Sequence, residues 1–104
     1  LNKSTKFDII GYGAARSAPL IIDLLGIRNK MKFIIDDNPR KSGRYLSIGN
    51  IPINSFSISK SKLQNTLIVI LGWAQTERII VFLKKNKIKC FVATIFPKFQ
   101  IKKI

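Results

Sequence analysis

Two glycines at 11 and 13, an arginine at 16 and an aspartate pair at 36 and 37 are the residues whose types and spacing could do chemistry in this chain. The glycines close a short apolar run, "DIIGYG". Without side chains, they let main-chain amides approach an anion closely. A helix starting just beyond them adds the positive end of its dipole. The turn of Gly11, Tyr12, Gly13, Ala14, Ala15, Arg16 and Ser17 is therefore a candidate phosphate cradle, with Arg16 as a side-chain donor. A dinucleotide fingerprint has a third glycine where Arg16 stands, which disfavours an NAD-type oxidoreductase. Asp36 lies 23 positions after Gly13, near the ~20-residue spacing of an acid that reads ribose hydroxyls. Two blander readings stand beside these. The turn is a plain strand-to-helix connection, or Asp36 and Asp37 are caps of a "DNP" turn.

Other positions carry paired readings. Trp73 follows a glycine at the end of an apolar run, where ligands of α/β sheets bind; it contacts a ligand or packs on a neighbouring domain. Tyr12 stacks on a ligand or packs in the core. Arg44 and Tyr45 meet a ligand or a domain partner, or belong to a plain hairpin. Glu77 reads as a solvated helix acid.

What is missing narrows the chemistry. The chain has no histidine and a single cysteine, Cys90, in an apolar strand pattern. A histidine-assisted nucleophile and an internal disulfide are excluded, and no metal cluster of ordinary ligand spacing is present. Catalytic and metal-binding residues are therefore not expected here. Nineteen Lys and Arg against five Asp and Glu give a net charge of +14. That balance favours an anionic partner, although abundant Lys, Ile and Asn are also what an AT-rich coding sequence produces. The lysines are scattered, which argues against nucleic acid. Their densest run, "KKNKIK" at 84–89, reads as a solvated helix end at the negative pole of the dipole. No apolar run reaches the ~18–20 residues of a membrane span, and no signal-peptide pattern is present. The expected location is the cytoplasm. A start at Leu1 suggests a piece of a longer chain or a processed one.

The elements that must position these residues follow from periodicity and punctuation. A strand is expected at 6–11, with Asp8 at its entry or facing away from the core. A helix follows over 14–25, ended by Gly26. Pro19 fits only its first turn, so a late start capped by Ser17 is expected. A second strand covers 31–35 and runs into a turn-rich stretch. "RYLSIGNIPI" at 44–53 reads as a small hairpin or extended arm around Gly49 and Asn50. A loop or short helix fills 54–65. The continuous apolar run at 66–71 suits a strand buried on both faces of a parallel sheet. A helix at 73–86, a strand at 89–96 stopped by Pro97, and an edge strand or tail complete the chain. Alternation of this kind predicts an α/β fold. It is a small Rossmann-like three-layer domain with a mainly parallel sheet, spanning 1–104 as one unit.

The segments "GYGAARS", "FIIDDNPRKSGRYLSIGNIPI", "VILGWAQTERI" and "KCFVATIFP" together resemble the C-terminal domain of bacterial sugar C-methyltransferases. The resemblance covers nearly the whole chain and is most specific over the "DDNP…GRYL…IPI" stretch. It implies a parent enzyme that methylates a nucleotide-linked deoxysugar with S-adenosylmethionine. The donor and the proton-abstracting residues would lie on a preceding methyltransferase domain of the same chain, beyond a zinc-binding region. This domain would hold the nucleotide-sugar and would have no methyltransferase activity alone. A Gly turn, a strand ending in Asp-Asp and a following "IP" are also similar to the sugar-nucleotide domain of bacterial amino-sugar acyltransferases. The alternative is thus a free-standing or acyltransferase-associated sugar-nucleotide module. On either reading the turn at 11–17 is expected to face a diphosphate.

Overall fold

Alternation along the strands sorts the apolar residues onto two faces of one sheet. In the computed structural model, which describes residues 8–95 and 98–104, β1 (Ile9–Tyr12) sends Ile9 to one side and Ile10 to the other. β2 (Met31–Ile35) does the same with Ile34 and Ile35, and β5 (Leu67–Ile70) with Val69 and Ile68. Every residue of β5 is buried, as expected of a strand covered on both faces. Two apolar clusters result. One holds Ala18, Ile21 and Ile22 of α1 (Ala18–Leu25). The other holds Phe56 of α2 (Phe56–Ser59) and Ile79 and Leu83 of α3 (Thr76–Lys85). The layers are therefore α1, sheet, and α2 with α3.

The sheet also contains β3 (Tyr45–Leu46), β4 (Ile51–Asn54), β6 (Phe91–Thr94) and β7 (Gln100–Lys103). Among the described residues it has seven strands, in the order β3-β4-β2-β1-β5-β6-β7. The five inner strands are mutually parallel, and β3 and β7 run antiparallel at the two edges. The four expected core strands are thus parallel neighbours. The final segment is an edge strand rather than a tail. Residues 6–7 and 96 of the expected strands, and the expected stop at Pro97, lie outside the described residues.

The first helix begins at Ala18, the late start expected from Pro19. Three local readings change. Ser17 holds the capping position, but its side chain makes no capping bond. The second helix splits into a 3₁₀ turn, Trp73–Gln75, followed by α3. The third change concerns "RYLSIGNIPI". It does turn back on itself through Gly49 (φ 72°) and Asn50 (φ 51°), pairing Leu46 with Ile51. Yet Ile53 and Asn54 also pair in parallel with Ile34 and Ile35, which makes β4 a strand of the main sheet. Ile51 and Ile53 are buried in the α1-side cluster. Among the described residues no helix is long and apolar enough to cross a membrane.

Candidate functional site

β1 lies between β2 and β5, and the chain proceeds from β1 first to one side and later to the other. That reversal leaves a crevice at the carboxyl ends of β1 and β5, the usual ligand position in such sheets. Gly13 and Gly72 meet there. Gly13 has a φ of +93°, and a Cβ placed on it would sit 3.0 Å from the Gly72 nitrogen. The ends of β1, β2, β4 and β5 are knitted together by main-chain bonds. The Gly13 N–H donates to the Ile35 carbonyl (2.8 Å), Leu71 N–H to the Tyr12 carbonyl (2.9 Å), and Asp36 N–H to the Asn54 carbonyl (2.9 Å).

A cleft of about 750 Å³ opens from this point along the α3 side of the sheet. Its upper wall is Tyr12, Gly13, Asp36, Asp37, Asn38 and Gly72; along α3 it meets Glu77, Arg78, Phe82 and Lys85. Four of the sequence-derived candidates therefore come together: Tyr12, Gly13, Asp36 and Asp37. Gly11, Ala14, Ala15, Arg16, Ser17, Arg44, Tyr45 and Trp73 do not line the cleft. Arg44 and Tyr45 lie at the β3 edge, with β4 and β2 between them and β1. Tyr45 is 66% exposed there. Trp73 is 43% exposed at the start of its 3₁₀ turn. Arg16 is exposed, and among the described residues it makes no hydrogen bond or ion pair.

The aspartates hold the loops in place. Asp36 Oδ2 accepts the Ala14 N–H (2.8 Å) and its Oδ1 accepts the Asn38 N–H (2.9 Å). Lys41 Nζ donates to the Ala14 carbonyl at 2.8 Å. Both polar groups of Ala14 are thus taken by side chains of the loop after β2. Asp37 Oδ1 accepts the Phe56 N–H (2.8 Å), capping the first turn of α2. Its second oxygen has no partner among the described residues. The turn-capping contacts expected of the aspartate pair are therefore present. The Ala14 amide, expected to face an anion, faces the Asp36 carboxylate instead.

Tyr12 is half-buried beside these carboxylates. Burial first, then the charges of Asp37 and Asp36, push its phenol up to about 12. The hydroxyl therefore keeps its proton at neutral pH and can act as a hydrogen-bond donor into the cleft. Among the described residues, no three His, Cys, Asp or Glu are grouped so as to hold a metal ion. Arg78, Phe82 and Lys85 escaped the sequence reading. Their spacing along one side of a helix was the available signal, but which side faces a cleft is set by packing. Phe82 stacks edge-on against Phe56 of α2, with ring centroids 4.7 Å apart.

Residues 2–93 match the family model described as the C-methyltransferase C-terminal domain. The chain belongs to this family. No curated protein matches the sequence. Among solved structures, the chain is similar to one described as UDP-D-quinovosamine 4-dehydrogenase from Vibrio fischeri. The TM-score is 0.59 at 16% identity, covering 96% of this chain and 94% of that one. At that identity the likeness speaks to the α/β fold.

Proposed function

We propose that this C-methyltransferase C-terminal domain binds the nucleotide-linked deoxysugar that a cytoplasmic, S-adenosylmethionine-dependent parent enzyme methylates. The observation that carries the reading is the cleft at the reversal point, where a protonated Tyr12 hydroxyl and the second oxygen of Asp37 have no partner among the described residues. A donor and an acceptor side by side suit the hydroxyls of a sugar ring, which need both. The family supplies the methyl-transfer context, and the similar solved structure is named for an enzyme of a UDP-linked sugar.

The site favours the sugar nucleotide over the methyl donor. A donor's ribose calls for an acid at the end of the second strand, and Asp36 holds that position. Each of its oxygens already accepts a main-chain amide, which fixes the carboxylate toward the loops. The donor and the bond-making groups are therefore assigned to a methyltransferase domain of the parent chain. This domain's part is to hold and orient the sugar nucleotide.

Calorimetric titration tests the reading. The chain should give saturable binding with UDP- or dTDP-linked deoxysugars and none with S-adenosylmethionine. Incubation with both should yield no methylated product. Binding of the donor without binding of any sugar nucleotide would reverse the assignment.

A further inference from the structure

We infer that the phosphates of the bound nucleotide are received by Arg78 and Lys85 on α3, and not by the glycine turn at 11–17. The inference rests on the sugar-nucleotide reading above and assigns the charged part of that ligand.

Two observations close the turn to an anion. The first amide after Gly13, that of Ala14, donates to Asp36 at 2.8 Å, so a carboxylate already sits where a phosphate oxygen would be. A second anion brought to the same amide would meet that carboxylate at close range, and like charges repel. Arg16, the turn's own cation, lies outside the cleft.

Two further observations open the α3 side. Three of the chain's five carboxylates, those of Asp36, Asp37 and Glu77, line this one cleft of a protein of charge +14. The two aspartates follow β2 at the strand ends, while Glu77 lies on α3. The cleft's cations, Arg78 and Lys85, also lie on α3, where they outnumber the one acid. They are seven residues apart, two helical turns or about 10 Å along the axis, with the exposed ring of Phe82 between them. A sugar nucleotide, whose neutral hydroxylated sugar is joined directly to a diphosphate, matches this polarity in one orientation. Its sugar lies at Tyr12 and Asp37, and its phosphates lie over α3. Arg78 is held ready by its Nη1 bond to the Gln75 side chain at 2.9 Å. Arginine's planar fork suits phosphate oxygens, and lysine adds a mobile point charge.

The experiment compares UDP and dTDP with the uncharged nucleosides uridine and thymidine as probes. They are titrated against the wild-type chain, Arg78→Gln, Lys85→Gln, the double variant and Arg16→Gln. Lys89→Gln, an exposed cation outside the cleft, sets the background for losing one charge. The substituted residues are all exposed, and thermal melts confirm that each variant folds. Loss of a charge-assisted contact is worth about 10- to 150-fold in affinity, from ~1.5–3 kcal/mol at ~1.4 kcal/mol per decade. The double variant should therefore weaken diphosphate binding by at least tenfold and leave nucleoside binding within twofold. Arg16→Gln should match the Lys89→Gln background. A tenfold loss in Arg16→Gln, with Arg78 and Lys85 silent, returns the phosphates to the turn and overturns the inference alone. A wild-type chain that binds neither diphosphate nor any sugar nucleotide overturns the functional reading, and this inference falls with it.

Discussion

Gly13 and Gly43 form a matched pair that separates backbone strain from crowding. Both have positive φ, +93° and +84°, so an added Cβ is strained at either position. That strain costs roughly 1–2 kcal/mol. At Gly43 a Cβ would meet nothing within 4 Å. At Gly13 it would lie 3.0 Å from the Gly72 nitrogen and 3.3 Å from the Gly72 Cα. Those are main-chain atoms and cannot swing aside as a side-chain end can. The Gly72 amide is also tied to the Tyr12 carbonyl at 3.3 Å. Relief requires the ends of β1 and β5 to part, an overpacking cost of roughly 1–3 kcal/mol. Gly13→Ala should therefore lose about 2–5 kcal/mol and Gly43→Ala about 1–2 kcal/mol. For a domain of this size, ~4 °C per kcal/mol converts these to Tm decreases of about 8–20 °C and 4–8 °C. Thermal melts followed by circular dichroism, with urea titrations as a check, measure both. Equal losses in the two variants would refute the crowding argument, and a stabilised Gly13→Ala would refute the strain argument too.

Two predictions concern ionisation. Tyr45→Phe leaves Tyr12 as the sole tyrosine, and its phenolate absorbance should titrate near pH 12. Asp37→Asn should lower that midpoint. Because the folded phenol keeps its proton to a higher pH than the unfolded chain does, this contribution to stability is complete below pH 10 and is lost as pH rises toward 12. A midpoint at pH 10 would show that neither burial nor the neighbouring carboxylates act on it. Burial pushes the Cys90 thiol up to about 11. Ellman's reagent at pH 8 should label it only after denaturant is added. Prompt stoichiometric labelling of the native protein would contradict the packing around β6.

The parallel core was legible because its signals are local. "LIVIL" is apolar throughout, as expected of a strand covered on both faces, and Gly26 ends α1 in the left-handed conformation that glycine permits (φ 66°). β4 was read only as part of a small hairpin or extended arm, and the hairpin is present. Gly49, Asn50 and Pro52 mark a turn on their own, while the parallel pairing of Ile53 with Ile34 is a long-range event with no local mark. The aspartate pair was visible as two candidates for hydroxyl binding or capping. Sequence spacing could not show that Asp36 folds back onto Ala14, since their positions meet only once β1 and β2 lie side by side. Arg78 and Lys85 were present as ordinary helix cations. Their placement depends on which side of α3 turns toward α2, a choice settled by Ile79, Phe82 and Leu83 against the sheet and Phe56.

The double hold on Ala14 has a mechanical consequence. A carboxylate grips its N–H, and an ammonium five residues further along the same loop grips its carbonyl. The connection out of β1 and the connection out of β2 are thereby riveted into one stiff bracket, despite having no regular structure. The bracket forms the fixed jaw of the crevice. Any widening to admit or release a ligand falls to the opposite jaw, α3, which is held by a greasy seam of side chains. Such a seam can slide by small amounts without breaking a discrete bond, whereas the bracket would have to lose two charged hydrogen bonds to move at all.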